Sequence, residues 1–272
     1  MRKIQIGWWS LVMIWAVNAQ AASEFIPIQE RAQGQALAGG SLLNDSIYSN
    51  PAASAFLPVY SVEGTYLLPK TFAVSVLDTK TSGMGGGLGY FRQKVGEFEQ
   101  AFQGVRLAFS GKVSEGLAIG VTGKMLWGPD FETGDGTEHK DIDTGLLANL
   151  GIMQFGLSVR NILGGKSEFQ QQREMVLGAR YAYQNLFYLS AAAISKTNTM
   201  TSPYQVGFGA EYISPYFFGL KGGFRRRIDT GTSYWSAGAS FLGPKLLVHY
   251  AAEFPTTSDE SIEHTVAAAL LF

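Results

Sequence analysis

Cysteine is absent from this 272-residue chain, which excludes disulfide scaffolds, zinc-thiolate centres and thiol nucleophiles. Charge is scarce as well: Asp, Glu, Lys and Arg make up 16% of the residues, against about 25% in water-soluble domains. What charge there is nearly cancels, at a formal −1, so no basic surface for nucleic acid is expected. Histidine occurs only at His139, His249 and His264, none in a recognisable hydrolase signature. The chain reads as a non-enzyme with no cofactor. Nor does helical spacing of apolar residues persist anywhere after about Leu57.

Glycine (33 residues) and aromatics (13%) are plentiful, and hydrophobic residues reach 46%. The N-terminus, "MRKIQIGWWSLVMIWAVNAQAAS", has Arg2 and Lys3, an apolar core from Ile4 to Val17 and the triplet Ala19-Gln20-Ala21. That layout is a secretory leader cleaved after Ala21. Its apolar core is shorter than the roughly 20 residues of a spanning helix.

From Val59 onward the apolar residues alternate. Tyr60, Val62, Gly64 and Tyr66 share one side, while Ser61, Glu63 and Thr65 share the other; "YQVGFGAEYI" repeats the pattern at 204–213. About 14 such segments follow one another, an even number of the length that crosses an outer membrane at a tilt. They begin near Val59, Phe72, Met84, Phe102, Gly116, Asp141, Met153, Glu174, Leu186, Tyr204, Tyr216, Ser233, Lys245 and Ile262. Tight connections ("NLGIM", "AYQNLF", "ISPY", "LGPK") alternate with longer ones ("GPDFETGDGTEHK", "LGGKSEFQQQ"), which puts both chain ends and the tight turns in the periplasm.

In hydrocarbon every backbone donor and acceptor must be paired inside the protein, so strands cross only as a closed barrel. The expected fold is therefore all-β, a transmembrane antiparallel barrel of about 14 strands with a small N-terminal plug. Its parts are a leader at 1–21, a hatch at 22–57 and a barrel at 58–272. The alternation points Glu63, Arg106, Lys124, Asp141, Asp143, Arg160, Glu174, Arg180, Glu211, Lys221, Arg225 and Glu253 inward, acids and bases in equal number. Such a balance suits ion pairing better than an open, ion-selective pore. Inward glycines at Gly207, Gly209, Gly219, Gly223 and Gly238 imply close approach by other backbone, hence an occupied interior.

Other features have two readings. In the acidic loop, Asp130, Glu132, Asp135 and Glu138 could catch a divalent cation beside His139, though an oxygen-ligand site needs a defined cage and solvated loop chemistry is the better reading. Arg225-Arg226-Arg227 ends a strand on the outer side, where it could pair with lipopolysaccharide phosphates or form a generic charged rim. His249 reads as a lumen-lining residue. Tyr60, Trp127, Tyr212, Tyr216 and Trp235 fit interfacial girdles.

The stretch "RAQGQALAGGSLLNDSIYSNPAASAF" resembles the N-terminal hatch of the FadL superfamily of hydrophobic-compound transporters, and more so its short-looped PorV-like branch. The matching residues are Leu37, Ala38, Gly39 and Gly40, then Asn44 and Asp45, then Asn50, Pro51 and Ala52. "DIDTGLLANLGIMQFGLSVRNILGG" is similar to a hairpin in the middle of PorV-like proteins. The chain departs from fatty-acid transporters in its shorter length and in lacking large apolar outer loops. On residue chemistry, Asn50-Pro51 is a rigid corner that either seats the plug or merely leads into the first strand.

What the resemblance implies is an outer-membrane protein that passes a small hydrophobic ligand, with membrane lipid as its surroundings. The alternative it carries is a non-transporting adaptor that binds other surface proteins. In FadL-type transporters the third strand kinks to open a lateral exit. Gly85, Gly86, Gly87 and Gly89 in "SGMGGGLGYFR" would ease such a kink, or would equally serve packing against the hatch. The last strand ends in Phe272 and resembles the signal read by the barrel-insertion machinery.

Overall fold

The computed structural model describes residues 25–40, 42–68, 71–94, 101–129, 136–164, 172–196, 202–257 and 261–272. The leader at 1–21 and the loop carboxylates Asp130, Glu132 and Asp135 lie outside these residues.

The alternating segments form fourteen strands: β1 (Tyr60–Leu68), β2 (Thr71–Asp78), β3 (Gly85–Gln93), β4 (Phe102–Ser114), β5 (Leu117–Pro129), β6 (Gly136–Asn149), β7 (Met153–Arg160), β8 (Glu174–Tyr183), β9 (Phe187–Lys196), β10 (Gln205–Ile213), β11 (Phe218–Arg227), β12 (Ser233–Leu242), β13 (Leu246–Pro255) and β14 (Glu263–Leu271). Each pairs antiparallel with its sequence neighbours, and β1 pairs with β14 from Ser61↔Leu271 to Leu68↔His264, closing the barrel. At the closing seam the Phe272 amide donates to the Tyr60 carbonyl at 2.9 Å, and the two rings meet edge to face at 5.4 Å. The fold is a transmembrane antiparallel β-barrel.

All but one of the strand starts fall within two residues of those expected from the alternation. The exception is β6, which begins at Gly136 rather than near Asp141, because Gly136–Lys140 pairs with the outer end of β5. These residues have no apolar side to betray them as strand. The β6–β7 ladder is short, running only from Thr144↔Val159 to Asn149↔Gln154. Above it, side chains supplement one remaining backbone bond, from the Ile162 amide to the Ile142 carbonyl at 3.0 Å: Asp143 Oδ1 accepts from the Asn161 amide at 2.8 Å and Asp141 Oδ1 from the Leu163 amide at 2.9 Å.

Burial follows the period of two. On β1, Ser61, Glu63 and Thr65 are buried while Tyr66 and Leu68 are nearly half exposed. Leu107, Phe109, Ile119, Leu177, Leu189, Phe208 and Leu220 extend that apolar exterior around the barrel. Water would oppose so continuous a greasy surface, whereas lipid accepts it. Tyr216 and Trp235 are exposed and Tyr60, Trp127 and Tyr212 partly so. No helix among the described residues is long and apolar enough to cross a membrane; the crossing elements are strands.

Candidate functional site

The lumen is filled by the chain's own first described residues. After Phe25 a short helix, α1 (Ile28–Ala32), is followed by 3-10 turns at Leu37–Gly39, Leu43–Ile47 and Pro51–Phe56. Almost every residue from 25 to 54 that is described is buried. The segment packs in turn against β11–β14, β7–β9, β1–β3 and β4–β6, a full circuit of the wall.

Glycine makes this fit possible. A Cβ on Gly209 would come within 2.7 Å of Gln33, one on Gly223 within 2.5 Å of the Gln33 carbonyl carbon, and one on Gly238 within 2.9 Å of Ala32. One on Gly207 would overlap the Gly34 carbonyl oxygen. Gly219 differs, facing Leu242 and the Tyr212 carbonyl instead of the hatch. Sequence reasoning passed over Gly120, Gly145, Gly156 and Gly178, inward on β5 to β8, whose missing Cβ atoms leave room for Pro51, Asn50, Ala38 and Gly39. The signal was there: each occupies an inward position of the alternation. On the hatch side, Gly34 adopts φ +62° and a Cβ there would sit 2.5 Å from the Phe224 carbonyl oxygen, so only glycine fits.

Asn50 organises the last turn. Its Oδ1 accepts from the Ala52 amide at 3.1 Å, capping the turn that begins at Pro51. Its Nδ2 donates to the Ala38 carbonyl at 3.0 Å and the Leu146 carbonyl at 3.2 Å, tying two parts of the hatch to each other and to β6. Gly39 lies against the Ala179 backbone, and Gly40 against Gln154 and Arg180.

Asp45 performs the other internal tie, its Oδ2 accepting from the Gln29 and Glu30 amides at 3.0 and 3.2 Å. Burial pushes this carboxyl well above its usual range, and the neighbouring Glu63 and Glu30 push it further. Glu30 is likewise raised by burial. Asn44 joins the hatch to β1 and β2 through Ser61 at 2.5 Å and Ser75 at 2.9 Å.

The inward charges of the wall clamp the hatch. Arg180 donates to the Gly40 carbonyl at 3.2 Å, Arg106 to that of Tyr48 at 3.4 Å, Arg160 to that of Ser49 at 3.3 Å, and Lys221 to Gln29 Oε1 at 2.9 Å. Wall acids balance three of these cations and their neighbours. Arg180 and Lys221 meet Glu211 at 3.0 and 3.5 Å; Arg106 and Lys124 meet Asp143 at 3.4 and 2.8 Å; Arg225 meets Glu253 at 2.5 Å. Arg160 and Glu174 are half-buried at the loop end, Glu174 accepting from Tyr204 at 2.5 Å. Glu63 Oε1 accepts from Thr65 at 3.3 Å. His249 is buried in the wall and bonds Ser240 at 2.8 Å.

Three readings left open by the sequence can be placed on the structure. At Gly85, Gly86, Gly87 and Gly89 the strand is regular: β3 pairs with β2 from Gly86 to Gln93 and with β4 from Gly85 to Gln93 without a break. Gly87 and Gly89 receive Ile47 and Tyr48, and Gly86 faces outward. The arginine run is split by the strand period: Arg225 turns inward over Tyr234 at 3.9 Å, Arg227 pairs with Asp229 at 3.0 Å, and Arg226 alone of the three is exposed. Glu138 and His139 belong to β6, where they pair with Lys140 at 2.8 Å and Asp141 at 3.2 Å. No metal-ligand cluster occurs among the described residues.

No protein-family model matches the chain, nor does any curated protein. Solved structures do match in fold. The Pseudomonas putida toluene transporter TodX aligns with a TM-score of 0.60 at 10% identity, over 89% of this chain and 97% of that one. A Pseudomonas aeruginosa FadL homologue aligns at 0.58 and 10%, over 90% and 97%. A TodX variant described as a monoaromatic hydrocarbon channel aligns at 0.61 and 11%, over 90% and 97%. The fold of this chain is thus similar to that of these solved structures.

Proposed function

We propose that this protein is an outer-membrane channel for small hydrophobic compounds, with residues 22–57 as its hatch and 58–272 as its barrel. The observation that carries this reading is the lumen itself: a backbone plug nested on wall glycines and clamped by neutralised wall cations. The described hatch is tied to the wall by side-chain bonds and packing and shares no ladder with it, so it can be displaced without breaking the wall's own pairing, and a charge-balanced lumen sets no preference for ions. The likeness in fold to a toluene transporter and a FadL homologue supports transport over catalysis.

In this reading residues 1–21 direct export and are removed, Phe272 is presented to the insertion machinery, and both chain ends face the periplasm. Lipid covers the exterior. The route in this reading runs through the lumen past the hatch, which the unbroken β3 ladders support over a sideways exit at the third-strand glycines. Uptake of labelled toluene into cells with and without the gene, and into proteoliposomes, tests it. Faster uptake with the protein is expected; equal rates would overturn the reading.

A second reading is a PorV-like adaptor that anchors other surface proteins, favoured by the continuous wall and filled lumen and by Leu37–Gly40 and Asn50–Ala52. A stable protein partner on purification, with no toluene uptake, would establish it instead.

A further inference from the structure

At the outer ends of β3 to β6, on the side of the wall turned away from the lumen, lies a groove of about 460 Å³. Its polar side chains form one row across the sheet. Arg92 on β3 stands opposite Gln103 on β4, Gln103 opposite Trp127 on β5, and Trp127 opposite Glu138 on β6. Neighbouring strands lie about 4.8 Å apart, so the row spans about 14 Å. Ala101, Gly128 and Gly136 also line the groove and are too small to fill it.

The row marks a boundary. Next below it on the same outward face come Tyr90, Val105 and Met125, and below those Leu88 and Leu107, each about half exposed in the apolar belt. An occupant of the groove therefore has its lower end among hydrocarbon chains and its upper end among polar groups. Charge narrows it further. Lys140 pairs with Glu138 at 2.8 Å and cancels that carboxylate, whereas Arg92 is exposed and has no ion-pair partner among the described residues. Gln103 is steadied by the Tyr90 hydroxyl, which donates to its Oε1 at 2.8 Å, and its amide nitrogen has hydrogens to offer.

This set of groups matches a phosphorylated sugar that carries acyl chains. An uncancelled guanidinium grips phosphate through paired N–H bonds. The Trp127 ring offers an apolar face to the C–H side of a sugar ring, while Gln103 and Glu138 can donate to and accept from its hydroxyls. We propose that this groove binds the phosphorylated glucosamine headgroup of lipopolysaccharide, with acyl chains running down over Val105, Met125, Leu88 and Leu107. One lipid of the outer leaflet is thereby held at a fixed place on the wall. The inference rests on the reading that sets the barrel in the outer membrane with its chain ends in the periplasm, and on neither transport nor the hatch.

Native mass spectrometry of the purified full chain in detergent, with bisphosphorylated lipid A or phosphatidylglycerol added, tests it. The wild type is expected to bind lipid A several times more tightly than phosphatidylglycerol. Arg92→Gln should weaken lipid A binding roughly tenfold, the loss of one charge-assisted contact. Trp127→Leu should weaken it severalfold and leave phosphatidylglycerol unchanged. Arg226→Gln, which removes an exposed arginine across the rim on β11, should change neither. Heat-modifiable gel migration verifies that each variant is folded. Equal binding of the two lipids by the wild type, or equal losses from Arg92→Gln and Arg226→Gln, would mean a general attraction of anions to the rim, and the proposal fails. A wild type that binds neither lipid overturns it as well. Because the chain has no cysteine, Thr230→Cys in the β11–β12 turn gives a membrane-impermeant maleimide a single target on intact cells. Labelling supports the placement and its absence would overturn it, so a misplaced barrel is distinguishable from a missing site.

Discussion

The Asn50 side-chain amide donates to the Ala38 carbonyl, 12 residues upstream, at 3.0 Å. That bond joins the two resemblance-bearing stretches of the hatch, one around Gly39 and Gly40 and the other at Asn50–Ala52. Asn50→Asp would set a carboxylate oxygen against the Ala38 and Leu146 carbonyls while retaining the cap on Ala52. We expect a loss of about 1–3 kcal/mol in hatch docking. Limited proteolysis should show the hatch cut early and the barrel intact; a hatch as resistant as wild type would contradict this.

Gly156→Ala and Gly178→Ala should displace the hatch, because each new methyl would overlap the backbone of Ala38 or Gly39. Overpacking of this kind costs about 1–3 kcal/mol. Gly64→Ala, which meets nothing within 4 Å, is the matched control. Planar-bilayer recordings should give higher basal conductance for the first two variants and none above wild type for the third.

Arg225 and Glu253 form a pair in which both side chains are about nine-tenths buried. Glu253→Gln alone strands a buried guanidinium and should destabilise the barrel by about 3–5 kcal/mol, whereas Arg225→Met with Glu253→Gln should recover most of that loss. Urea unfolding in lipid vesicles supplies the double-mutant cycle; additive single effects would show the pair to be uncoupled.

The Asp45 carboxyl, raised above its ordinary 3.8 chiefly by burial, binds its proton more tightly when the hatch is seated than when it is displaced. Seating is therefore strongest at low pH and weakens as pH rises from 3.8 through the raised value. Asp45→Asn, which retains an acceptor for the Gln29 and Glu30 amides, should flatten that dependence. Hydrogen exchange of the hatch amides across this range measures it, and an unchanged slope in the variant would assign the titration elsewhere.

The wall was largely legible because lipid imposes a strict rule: residues such as Leu107 and Phe109 must face out while Arg106 and Ala108 face in. Where the rule relaxes, legibility fades. Gly136–Lys140 pairs with the outer end of β5 but carries no apolar side, so its polar and charged residues read as loop. The arginine run looked like one feature in linear order, yet a period of two divides its members between lumen and rim. Asn50 was readable as a corner from its proline neighbour, but its bonds to Ala38 and Leu146 depend on how the hatch coils, which no local pattern encodes.

The seam between β1 and β14 joins the first strand to the last, and Phe272 bonds to Tyr60 beside it. Inside that ring the hatch touches the whole circumference, and Gly34 is wedged against the backbone of β10 and β11. The N-terminal segment therefore sits as a mandrel within the sheet, and the ring that encloses it is shaped to its backbone.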